Sequence, residues 1–159
     1  MTRHSILFSI VWIALVAFMY YLVDNIEHPN KAWRLGNDIN SVTLKRGLDG
    51  HYRAEALINN QPVDVLVDTG ATGVAISQAV ADKLQLKSIA AVQTSTANGD
   101  SVGYMVRLQS VKVGGVEAKN VSAMIAPGLD GDVLLGMSYL GRMDVRLFNN
   151  QMTIKQVEH

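Results

Sequence analysis

Four pairs of Asn and Gly constrain this chain more than any other feature. Asn59-Asn60, Asn98-Gly99, Gly114-Gly115 and Asn149-Asn150 each separate two runs rich in Val, Leu, Ile and Thr. Asn and Gly tolerate the positive φ angles that tight hairpin turns require, so each pair predicts two antiparallel strands. The first hairpin joins HYRAEALI (51–58) to QPVDVLVD (61–68), and the last lies within DVRLFNNQMTIKQV. SQAVADKLQL (77–86) carries apolar residues at Ala79, Val80, Leu84 and Leu86 behind Ser77, a suitable N-cap, and predicts a short helix. DVLLGMSYLGRM begins as a strand at Val133–Leu135 and then turns into a second short helix. Strands do not alternate with helices in the βαβ manner. From Val42 onward the sequence therefore predicts one small, mostly antiparallel β-domain.

The N-terminus obeys a different rule. SILFSIVWIALVAFMYYLV, residues 5–23, contains 19 positions without a charge. As a helix it would be about as long as a bilayer core is thick. A signal peptide has a shorter apolar region and ends in a small-residue site, whereas DNIEHPNK follows here. A buried core helix is a third reading, but an apolar run without any polar face fits lipid better. The expected organisation is a tail (1–4), a transmembrane anchor (5–23), a polar stalk (24–41) with Pro29, Gly36 and four Asn, and a folded domain (42–159). Lys and Arg number one before the span (Arg3) and two soon after it (Lys31, Arg34), which leaves the orientation open.

Composition removes several function classes. Fourteen Lys and Arg balance fourteen Asp and Glu, and a formally neutral chain lacks the basic excess of a nucleic-acid binder. Without cysteine there is no disulfide, no thiolate metal ligand and no thiol nucleophile. His4, His28, His51 and His159 have no metal-ligand spacing, so neither a metal nor another cofactor is expected. Asp130 and Asp132 fit a solvated turn better than a cation loop, Asp64 receives no role, and no Gly-x-Ser-x-Gly is present.

One stretch remains unexplained: VDVLVDTGATGVAIS, residues 63–77. An apolar strand delivers Asp68 into a Thr-Gly turn, where a carboxylate costs desolvation energy unless something uses it. A purely local account has Asp68 capping its own backbone and Gly70 adopting φ > 0. Three features speak for chemistry instead. An apolar run precedes the triplet, small residues (Ala71, Thr72, Gly73) follow it, and a second apolar strand ending in glycine, VLLG (133–136), leads into a helix downstream.

This combination resembles the retropepsin-like aspartic proteases over about residues 50–157. LVDTGAT matches the catalytic turn of that family, LLGMSYLGRM its hydrophobic-Gly motif and helix, and TANGD (96–100) stands where the family carries its flap. The resemblance implies a small closed antiparallel barrel-like fold with one or two short helices. It implies Asp68 as the catalytic group, with Thr69, Gly70 and Ala71 supporting the turn. Leu134, Leu135 and Gly136 would close the site, and Ala97, Asn98, Gly99 and Asp100 would cover substrate. In this mechanism two aspartates face each other across a water, share one proton and act as a coupled pair. Only one Asp-Thr-Gly and no Asp-Ser-Gly occurs here, so the resemblance requires a homodimer with one Asp68 from each chain. The anchor further resembles that of membrane-tethered bacterial retropepsin-like proteins, which implies an inner-membrane protein with its domain in the periplasm.

Two positions depart from the retroviral pattern. Thr72 and Met137 stand where an acidic residue and an arginine usually pair and brace the dimer, so the dimer contacts here must differ. Two functions follow. One is a membrane-anchored aspartic endopeptidase acting on extended peptide or protein segments. The other is a non-catalytic module on the same fold that captures a peptide or dimerises at the membrane.

Overall fold

A computed structural model describes residues 3–27, 30–31, 40–96, 99–131 and 133–157. The first element, α1 (Arg3–Glu27), stands apart from the rest. Within it Leu7–Ile26, 20 residues of mean hydropathy 2.0, has no buried residue in its most apolar window and is long and apolar enough to cross a membrane. The helix runs beyond the expected span, and its end is tied down. Lys31 pairs with Asp24. Asn30, only 4% exposed, donates to the carbonyls of Lys45 and Arg53, each at 2.8 Å, and accepts the Lys45 N–H at 2.7 Å. One side chain thus satisfies three backbone groups on two strands.

The domain is built from ten strands: β1 (Ser41–Lys45), β2 (Tyr52–Ile58), β3 (Gln61–Val67), β4 (Val74–Ser77), β5 (Ala90–Thr96), β6 (Gly99–Val113), β7 (Val116–Ala126), β8 (Val133–Leu135), β9 (Met143–Phe148) and β10 (Gln151–Gln156). Two short helices interrupt them, α2 (Gln78–Lys83) and α3 (Met137–Leu140), the number expected at most. Ser77 caps α2 by accepting the Val80 N–H. Asn59 and Asn60 (φ 50° and 64°) and Asn149 and Asn150 (φ 46° and 59°) turn their hairpins through the left-handed region. Their short polar side chains make that conformation tolerable.

The larger sheet has the order β2-β3-β8-β4-β7-β6-β5. The far part of β6 also pairs with β2, Ile58 opposite Val111, and closes six strands into a barrel. The fold class is thus the expected closed barrel, with one refinement. The ladders β3–β8 and β4–β7 are parallel, and β8 returns from far along the chain to lie between β3 and β4. Alternating residues fill the interior: Val63, Val65 and Val67 from β3, and Val121, Ala123 and Ile125 from β7, are all at most 5% exposed. The smaller sheet, β1-β10-β9, covers one side with Leu44, Met152 and Ile154.

Tyr139 is the largest fully buried side chain, and its hydroxyl donates to the Val116 carbonyl at 3.0 Å. Burial pushes the phenol above its ordinary value of 10.0. The folded chain therefore holds a proton that the unfolded chain releases. The associated stability is complete below about pH 10 and is lost as the pH rises further. Tyr139→Phe is expected to lower stability by about 1 kcal/mol at neutral pH. It should also flatten the alkaline decline, and urea titrations of both proteins between neutral and alkaline pH measure each effect.

Candidate active site

β3 buries its valines and then stops. The Asp68 N–H donates to the Leu135 carbonyl at 3.1 Å, which ties the end of β3 to β8. Asp68 Oδ1 accepts the Gly70 N–H at 2.8 Å, and the Asp68 carbonyl accepts the Ala71 N–H at 3.3 Å. The local turn is therefore real, but it does not consume the carboxylate. One oxygen orients the group, and the side chain remains half-exposed beside the exposed Thr69. Gly70 is not left-handed, contrary to the purely local account. It supplies room instead: a Cβ there would lie 3.2 Å from Asp68 Oδ1.

The second motif braces the first. Leu134 and Leu135 of β8 lie beside Leu66 and Val67 of β3, and Leu134 also faces Ala75 of β4. Leu135 is fully buried and Leu134 half-buried. Gly136 then passes so close to the turn that a Cβ would lie 2.2 Å from the Gly73 carbonyl oxygen and 2.6 Å from that of Ala71. The backbone there is extended (φ −100°, ψ −163°), so glycine is needed for space and not for an unusual conformation. Directly after it, the Met137 N–H donates to the Ala71 carbonyl at 2.8 Å.

Ser138 is a supporting residue that the sequence did not single out. Its hydroxyl donates to the Ser122 carbonyl at 2.9 Å and accepts the Val74 N–H at 3.0 Å, which links α3 to β7 and to the start of β4. A serine one position into a helix after glycine has no distinctive sequence signature. Thr72 is exposed, and Met137 is 45% exposed, so the positions of the missing ion pair sit at the surface of the turn. The proposed flap falls on the β5–β6 hairpin. Gly99 and Asp100 are the first residues of β6, opposite Thr96 and Ser95, while Ala97 and Asn98 lie outside the described residues. Asp130 is exposed, and Asp132 lies outside the described residues.

An Asp-Thr-Gly turn at a strand end, braced by a returning strand and its glycine inside a six-stranded barrel, defines the retropepsin-like aspartic protease class. The chain belongs to the gag-polyprotein putative aspartyl protease family, which it matches over residues 54–142. A retropepsin-like aspartic protease from Rickettsia conorii has a similar structure, with a TM-score of 0.62 at 29% identity, covering 73% of this chain and 89% of that one. An uncharacterized protein of Rickettsia prowazekii is 32% identical over 128 residues, 79% of this chain and 54% of its own length. An uncharacterized protein from Sinorhizobium is 32% identical over 108 residues, 65% of this chain and 46% of its own length. The chain spans about half the length of both curated relatives.

Because Gly136 approaches two backbone carbonyls, neither partner has a flexible end with which to yield. Gly136→Ala is expected to cost about 3 kcal/mol. A urea midpoint within error of the parent would show that the turn and β8 are not packed as described.

Proposed function

We propose that the chain is a membrane-anchored aspartic endopeptidase, active as a homodimer that contributes one Asp68 from each chain. The observation that carries this reading is a single oriented, half-exposed carboxylate in a chain with no second Asp-Thr-Gly or Asp-Ser-Gly. One carboxylate cannot both accept a proton from water and donate one to a peptide carbonyl in the same step. Two held about 3 Å apart keep one proton between them, because both cannot ionise at that distance. The ionised member takes a proton from the water. The protonated member polarises the scissile carbonyl. Thr69, exposed at the turn, would bond across the two-fold axis, with Gly70 and Ala71 supporting the turn. Ala97, Asn98, Gly99 and Asp100 would form the arm that covers an extended peptide and excludes water.

Residues 5–23 would hold the protein in the inner membrane, a placement supported by the exposed apolar length of α1. Likeness to membrane-tethered bacterial members of the class supports a periplasmic domain. Identical anchors place the two-fold axis roughly along the membrane normal. Confinement to the membrane plane raises the effective concentration of the partner. The natural substrate is a peptide or protein segment in extended conformation.

Asp68→Asn is nearly isosteric but cannot share the proton. It is expected to abolish cleavage of a broad peptide library, a loss of at least about a thousandfold, while leaving the urea midpoint unchanged. Retained cleavage would end the aspartic-protease reading. Retained peptide binding without cleavage in the parent protein would favour the non-catalytic module.

A second expectation concerns assembly. In detergent, activity per molecule should fall steeply as the protein is diluted, and in vesicles at fixed surface density it should not. Full activity from a species that sediments as a monomer would refute the shared site.

A further inference from the structure

The outer face of the β1-β10-β9 sheet presents an orderly grid. Antiparallel register aligns Lys45, Gln151 and Phe148 in one row, Thr43, Thr153 and Arg146 in the next, and Ser41, Lys155 and Asp144 in the last. Strand alternation turns all of them away from Leu44, Met152 and Ile154, which are buried on the inner face. Side-chain contacts confirm the shared face: the Thr43 and Thr153 hydroxyls lie 3.2 Å apart, and Arg146 bonds Asp144 at 3.0 Å. The face therefore carries three cations against one carboxylate. Its corner is Phe148, an aromatic ring 84% exposed.

The same corner region is joined to the apolar helix. Asn30 holds both the N–H and the carbonyl of Lys45, and it follows the end of α1 by three residues. Three residues reach at most about 10 Å. Phe148 stands two strands away from Lys45, again about 10 Å. The grid thus begins where the helix would leave a bilayer. It combines the two residue classes found at that depth, an aromatic ring and cations facing lipid phosphates.

We infer that the outer face of the β1-β10-β9 sheet rests on the headgroup layer of the membrane that holds α1, with Phe148 entering the polar–apolar boundary and Lys45, Arg146 and Lys155 meeting lipid phosphates. This inference rests on the anchor reading of α1. It makes the juxtamembrane segment a fixed mount, because Asn30 sets the domain against the lipid surface at a defined edge.

The natural absence of cysteine makes the test direct. The full chain carrying Phe148→Cys, Thr43→Cys or Ile13→Cys is spin-labelled and placed in vesicles containing anionic phospholipid. Each label is then compared for collisions with lipid-soluble oxygen and with a water-soluble nickel chelate. The Ile13 label should read the bilayer interior, the Phe148 label the boundary and the Thr43 label the headgroup layer, with nickel access at Thr43 several-fold below that of the same protein in detergent. A Phe148 label as open to nickel as in detergent overturns the inference and leaves the anchor intact. A Phe148 label shielded from both reagents also overturns it, since protein, such as a second copy, then covers the face. An Ile13 label outside the bilayer overturns the anchor and this inference together.

Discussion

The whole site depends on one close approach. Gly136 passes within van der Waals distance of the Ala71 and Gly73 carbonyls, and no side chain fits between them. That contact lets β8 lie between β3 and β4, and with β8 in place the Leu135 carbonyl meets the Asp68 N–H while the Met137 N–H meets the Ala71 carbonyl. The Asp-Thr-Gly turn is thereby held from both ends by a segment more than sixty residues further along the chain. A carboxylate at a free strand end would sample many orientations. Here its backbone is fixed by ladder-like bonds, and one oxygen by the Gly70 N–H. Rigid placement is what a catalytic geometry requires, and it arises from packing and backbone hydrogen bonds.

Much of this was legible because it is local. The Asn and Gly pairs announce their own turns, since positive φ is a property of the residue at the turn, as Asn59, Asn60, Asn149 and Asn150 demonstrate. The cap at Ser77 and the apolar length of α1 are local in the same sense. The two motifs that meet at the site were legible through family resemblance, while their contact was not. No local pattern says that a three-residue strand, Val133–Leu135, will insert between β3 and β4, or that the ladders β3–β8 and β4–β7 will be parallel. Such placement is decided by the closure of the barrel, through pairs like Ile58 and Val111 that are far apart in sequence.

Asn30 shows the same limit for a single residue. In a polar stretch between a helix and a strand it reads as one more linker asparagine. Its amide instead replaces backbone partners for Lys45 and Arg53, a role visible only when both strands are in place. Ser138 behaves similarly, serving β4 and β7 from the first turn of α3. Both residues satisfy buried backbone groups that the strand ladders leave over, which is a requirement of the assembled fold and not of any local segment.

The homodimer we propose would pose a specific problem of assembly. The chain carries one Asp68, so chemistry of the aspartic type needs two copies, yet Thr72 and Met137 supply none of the charge pairing that braces retroviral dimers. A membrane offers a different solution. In the anchored dimer we propose, two chains held in one plane, each with its domain mounted at Asn30, would lose less rotational freedom on pairing than two chains in solution. A weak interface would then be sufficient, and its weakness useful, because activity would follow local surface density and fall when the chains disperse. The anchor, the Asn30 mount and the missing ion pair would on this proposal be parts of one device, in which the bilayer would do the work that charge pairing does elsewhere.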